Sequence, residues 1–160
     1  MISFRSMHED EYLAYLDYFI PDYAAEIGSN YGLTQQDALA RAKQEISESL
    51  PDGVNTQGQA LLCLMGHSGE SEKHVGYLWY KPDTMMRTVF IYDFHIFNAC
   101  QGQGLGKEAL RAFEHYVHEK GCEQIRLRVA GDNARARHLY ERSGFGVTGI
   151  NMSKTIKRCL

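Results

Sequence analysis

Long apolar runs, prolines and patterned cysteines are all in short supply in this chain. No stretch of the sequence approaches the ~20 apolar residues that a membrane-crossing helix needs. The opening MISFRSMHEDEY has no basic segment followed by an apolar one, the mark of a secretory signal. The expectation is a soluble, cytoplasmic protein with no membrane partner. The four cysteines, Cys63, Cys100, Cys122 and Cys159, contain no C-x-x-C pair. Their spacing points neither to a zinc site nor to a disulfide framework, and free thiols fit a reducing compartment. There is no repeat, low-complexity tract or long linker, so 160 residues are read as a single domain, 1–160. A domain of ~150 residues buries ~70% of the surface its unfolded chain exposes. A strong charge of one sign is also missing, since the net charge is -3. That balance hides an asymmetry. Residues 1–60 carry ten Asp and Glu against three Lys and Arg, and residues 61–160 carry ten against fourteen. Neither part is basic enough to suggest nucleic acid. The split suits either two ligands of opposite charge or two solvated surfaces.

What is present is a legible order of elements. Ile2 to Arg5 alternates like a short strand, and Glu9 to Tyr18 has helical spacing. Pro21, which lacks an N–H and crowds the preceding turn, is expected to break or restart that helix, which resumes over Asp22 to Ile27. Thr34 is a good N-cap for a helix from Gln35 to Ser49. The period then changes to two over Gln59–Met65, His74–Lys81 and Arg87–Phe97, three runs with short links that predict an antiparallel meander. A helix over Gly104–Glu119 buries Leu105, Ala109, Leu110, Phe113 and Val117. A strand at Gln124–Val129, a helix at Asn133–Ser143 and a strand pair at Phe145–Thr148 and Met152–Ile156 complete the chain. The prediction is an α/β (α+β) fold with a mixed, mostly antiparallel sheet of about seven strands and helices on both faces.

The strongest local signal joins the long strand to the next helix through Gln101-Gly102-Gln103-Gly104-Leu105-Gly106-Lys107. Glycines let the backbone turn sharply and approach a ligand closely. The helix N-terminus adds unpaired N–H groups and about half a positive charge, which suits a pyrophosphate. A P-loop would need Ser or Thr after the lysine, and here Glu108 follows Lys107. A dinucleotide loop would need G-x-G-x-x-G in a parallel unit, and here the spacing is G-x-G-x-G after a meander. His115 and His118 share an outward helix face and do not form an H-E-x-x-H zinc motif.

The hexapeptide Gln101–Gly106 resembles the Q/R-x-x-G-x-G/A signature of the GNAT acetyltransferase superfamily. The segment Asn133 to Phe145 is similar to that family's N-x-x-A-x-x-L-Y-x-x-x-G-F motif. The two lie in the family's order, with one strand between them. The resemblance implies the GNAT acyl-CoA N-acyltransferase fold and transfer of an acetyl group from acetyl-CoA to a primary amine. The acceptor would be a small-molecule amine or a protein amine, with no metal required. It further implies that the Ile96 backbone meets the pantetheine arm and that Gln101, Gly102, Gln103, Gly104, Leu105, Gly106 and Lys107 hold the pyrophosphate. Asn133 would reach the pantetheine from the next helix, as well as capping that helix.

Tyr140 matches the family tyrosine that protonates the leaving thiolate, and packing under Phe145 is its structural alternative. Many members carry a Glu where Tyr92 stands, so the base is reassigned. Asp93 acting through water is the first choice and His95 the second, with a hydrogen-bonded polar pair as the alternative. Strict alternation puts Ile91, Asp93 and His95 on one face and Tyr92, Phe94 and Ile96 on the other, unless a bulge intervenes. Tyr12, Tyr15, Tyr18, Tyr23 and Tyr31, with Asp22 and Glu26, could wall a cationic acceptor, although core packing suits most of the tyrosines. Exposed strand edges leave room for a homodimer. The rival reading is an acyl-CoA-binding regulatory module without efficient turnover.

Overall fold

The structure, a computed structural model, describes residues 1–156. Cys159 therefore lies outside the described residues. The chain divides into two compact units: Met1–Tyr12 with Asp52–Val129, and Leu13–Pro51 with the chain from Ala130 onward.

The first unit holds the sheet. Its strands are β1 (Ile2–Ser6), β2 (Ala60–Ser68), β3 (Ser71–Asp83), β4 (Thr88–Ile96) and β5 (Gln124–Leu127), side by side in chain order. The first three pairings are antiparallel and β4–β5 is parallel. Helix α3 (Leu105–His118) packs on one face, as its apolar spacing requires. Leu62, Leu64, Leu78, Tyr80, Val89 and Ile91 from the strands meet Ala109, Phe113 and Val117 from the helix. Phe113 is fully buried, with its ring edge-on to Tyr80 at 5.1 Å. Burying such a side chain is worth ~1.5–3 kcal/mol.

Two β-bulges decide which side chains share a face. In β3, Leu64 pairs with Gly76 and Met65 with His74, so Val75 is the extra residue. In β4, Trp79 pairs with Asp93 and Tyr80 with Ile91, so Tyr92 is the extra residue. The second bulge corrects the expected alternation. Ile91, Phe94 and Ile96 belong to the core beneath α3. Asp93 and His95, opposite Trp79 and Tyr77, face the other way, and Tyr92 stacks on Trp79 at 4.8 Å.

In the second unit, α1 runs without interruption from Tyr12 to Tyr31, with Pro21 inside it. The helix neither breaks nor restarts at Pro21. Proline removes one helical hydrogen bond, and Tyr15, Phe19, Ala24 and Ile27 are buried on either side of it. Stacking of Phe19 on Tyr15 and Tyr23 (5.6 and 5.4 Å) continues across the proline. Helix α2 (Gln35–Ser49) begins at the expected cap, where Thr34 Oγ1 accepts from the Asp37 N–H at 3.1 Å. Helix α4 spans Ala134–Arg142.

Among the described residues the sheet has five strands rather than about seven. Phe145–Thr148 and Met152–Ile156, expected as strands, carry no regular structure. Strand propensity expresses itself through packing on neighbours. Here Val147, Ile150, Met152 and Ile156 are exposed, and Gly144, Gly146 and Gly149 interrupt the run.

Candidate active site

Strands β4 and β5 run together only briefly. Their rungs extend from Thr88–Gln124 to Ile91–Leu127 and stop at the Tyr92 bulge. Beyond it, Asp93 to Ile96 remain paired with β3, and the β4–β5 ladder does not continue. Phe97 donates its N–H to the Val75 carbonyl at 2.8 Å. Ile96, opposite Gly76, is therefore a non-hydrogen-bonded pair, with its own N–H and C=O turned away from β3. The parallel ladder thus ends at the bulge, and the backbone groups of Ile96 beyond it are directed away from β3.

The glycine loop follows at once. A 3-10 turn, Asn98–Cys100, brings the chain into it. The Gln101 side chain then turns back, and its Nε2 donates to the Ile96 carbonyl at 2.9 Å and to Asn98 Oδ1 at 3.2 Å. Gln101 thus ties the loop to the end of the splayed strand, a role that a ligand-only reading of this residue misses. Gly102 (φ 80°) and Gly104 (φ 76°) are left-handed, and a Cβ on either would meet nothing within 4 Å. Backbone conformation, with open space above it, is the reason for glycine at both positions. Gly104 is the N-cap of α3, and its carbonyl accepts from the Glu108 N–H at 3.2 Å. Leu105, Gly106 and Lys107 form the first turn, where N–H groups have no partner inside the helix. Gln103 and Lys107 are exposed beside them. The loop thus joins left-handed backbone and open space to the first turn of α3.

The acid–base candidates lie on two elements. Asp93 and His95 share one face of β4 and are half-buried, and the His95 ring meets Phe97 edge-on at 6.0 Å. Tyr140 and Asn133 belong to α4 in the other unit. Asn133 caps that helix, its Oδ1 accepting from the Ala136 N–H at 3.1 Å. Tyr140 packs edge-on against Phe145 at 5.6 Å.

Residues 31–145 match the family model described as the acetyltransferase (GNAT) family. The chain belongs to the GNAT acetyltransferase family. The similarity extends beyond that segment. The uncharacterized N-acetyltransferase YycN of Bacillus subtilis (strain 168) is 32% identical over 157 residues, which is 97% of this chain and 99% of that one. A crystal structure of the B. subtilis YycN acetyltransferase superposes with a TM-score of 0.89 at 31% identity, covering 99% of this chain and 100% of that one. A more distant likeness, of fold alone, is the spermidine N-acetyltransferase of Vibrio cholerae in complex with CoA and spermine. Its TM-score is 0.65 at 16% identity, covering 92% of this chain and 82% of that one. This GNAT protein is an acetyltransferase with the family's α/β fold, and no helix among its described residues is long and apolar enough to cross a membrane.

One cluster went unnoticed in the sequence. On the sheet face away from α3, Arg5 grips Glu11 through both guanidinium nitrogens, at 2.7 and 3.0 Å. Glu11 Oε1 also accepts the His8 N–H at 2.9 Å. The Arg5 hydrogen bonds hold the Glu11 carboxyl down at about 2, against partial burial that acts the other way. Cys63 and His74 adjoin the pair. No spacing rule could have found this group, because its members come from β1, the turn after it, β2 and β3.

Proposed function

We propose that this protein transfers the acetyl group of acetyl-CoA to a primary amine by direct attack, with residues 1–160 acting as one GNAT domain. The observation that carries the reading is the loop Gln101–Lys107. It sets two left-handed glycines, open space and the bare first turn of α3 beside the place where the parallel β4–β5 ladder ends. A diphosphate fits the first feature, and an extended amide-bearing arm fits the second. The pyrophosphate lies on the N–H groups of Gln101 to Lys107, the pantetheine runs along Ile96, and Asn133 reaches the same arm.

In the reaction, the neutral amine attacks the thioester carbon and a tetrahedral oxyanion forms. A backbone N–H on the splayed stretch of β4 stabilises it, a contribution typically of ~3–4 kcal/mol in a dry site. The C–S bond then breaks, and the thiolate takes the Tyr140 hydroxyl proton. Asp93 accepts the ammonium proton through water, and His95 is the alternative acceptor. No metal takes part. The V. cholerae neighbour holds a polyamine, and the acidic first third of this chain is consistent with a cationic acceptor.

Tyr92, exposed and stacked on Trp79 where the family resemblance implies a Glu, favours a second reading, an acyl-CoA-binding module without efficient turnover. Release of CoA thiol across a library of small amines and peptides separates the two. Amine-dependent release supports the enzyme, and tight acetyl-CoA binding with no release from any amine supports the module. Tyr140→Phe should lower turnover by about 100-fold, the lower range for a positioned proton donor, with CoA affinity unchanged. Equal rates for the two proteins would remove Tyr140 from the reaction.

A further inference from the structure

On the sheet face away from α3, Glu11, Cys63 and His74 each bring one ligand atom to within 4.8 Å of the other two. We propose that these three side chains form a site for a single zinc ion, separate from the acyl-transfer chemistry. One sulfur, one nitrogen and one carboxylate oxygen form a mixed set that suits zinc, whereas calcium and magnesium call for oxygen alone.

The backbone is shaped for this grouping. Without the bulge at Val75, His74 would point into the core beneath α3. The extra residue sends Val75 there instead and leaves His74 on the face that carries Cys63. The His74 Nε2 lies 2.9 Å from the Gly76 carbonyl oxygen. A carbonyl can only accept, so Nε2 carries the hydrogen and Nδ1 keeps its lone pair. Imidazoles that bind metals are commonly held through the other nitrogen in this way. Burial lowers the His74 pKa.

Cys63 is fully buried, and its thiol lies 3.8 Å from Glu11 Oε2, with Arg5 also beside it. Burial, with Glu11 nearby, pushes that thiol up to about 11. Zinc would displace the thiol proton to solvent as the Zn–S bond forms. His74 and Glu11 would bind in the protonation states they already hold. Glu11 would turn Oε2 to the ion by giving up its 3.0 Å bond from Arg5 Nη2, while Oε1 keeps Arg5 Nη1 and the His8 N–H. Water completes the fourth position. The second possible grouping among the described residues, His8, Asp10 and Glu11, has no buried member and carries no such argument.

Cobalt(II) tests the site, because a cobalt–thiolate bond adds an ultraviolet charge-transfer band. Metal-free full-length protein titrated with cobalt should develop that band and saturate at one equivalent. Zinc, added afterwards, should abolish it. Cys63→Ser should lose the band, and His74→Gln should weaken zinc binding at least about tenfold against a chromophoric chelator. Circular dichroism would confirm that both variants are folded. Absence of the band from the unmodified protein, or unchanged zinc affinity in folded variants, would overturn the proposal and leave the cluster as a hydrogen-bonded network only. Acyl transfer by the metal-free protein distinguishes failure here from failure of the proposed function.

Discussion

Glu11 illustrates how much one side chain can hold. Its carboxyl is drawn well below the usual range by Arg5, so the folded protein prefers the ionised form. A lowered folded pKa gives stability that is present above the unfolded value, near 4.5, and is lost as pH falls toward about 2. His74, also lowered, has the same sign: its contribution is present above its unfolded value of 6.5 and declines below it. Glu11→Gln should destabilise the protein at pH 7 by about 1–3 kcal/mol, toward the lower end because the pair is partly solvated. Urea unfolding of the variant should also vary less between pH 5 and 2 than that of the parent. An unchanged acid limb would mean that other carboxyls dominate. None of this was legible in the sequence, because Arg5 and Glu11 sit in what read as a strand and a helix of ordinary polarity. The two left-handed glycines of the loop were legible, since few residue types tolerate that conformation.

At the scale of elements, legibility followed periodicity. The helix over 105–118 declared its buried face through Ala109, Leu110, Phe113 and Val117, because local spacing alone determines that stripe. Bulges are different. Whether Tyr92 and Val75 are extra residues depends on the neighbouring strand, so alternation misassigned Ile91 to the face of Asp93 and His95. The same dependence on partners explains the two missing strands after Gly144, and burial on both sides explains the proline carried inside α1. Gly76 is where the meander is least tolerant. A Cβ there would lie 2.1 Å from the His95 carbonyl oxygen and 3.1 Å from Leu64. The clash involves backbone and cannot be relieved by a rotamer change. Gly76→Ala should lower stability by at least about 2 kcal/mol and the melting temperature by about 4–8 °C. It should also weaken CoA binding, because Ile96 pairs with Gly76. A melting point within a degree of the parent would contradict the tight β3–β4 register.

For the whole molecule, the proposed site sets an anion cradle at the start of α3 beside the place where the parallel β4–β5 ladder ends at a bulge. The family and the order of elements were readable because two motifs stand in the right sequence. The acceptor was not, because residues 1–60 carry no comparable pattern. The loop assignment underlies every later step. Its most direct test is calorimetric titration of the purified protein with CoA, beside Gly104→Asp and Gly104→Ala. Aspartate places a carboxylate where the phosphates would lie, while alanine adds only the strain of a left-handed backbone. An anion cradle at this loop predicts one CoA per chain, an aspartate variant weakened well beyond tenfold (more than ~1.4 kcal/mol) and an alanine variant that retains measurable binding. Equal affinity for the parent and the aspartate variant, with both proteins folded, would contradict it.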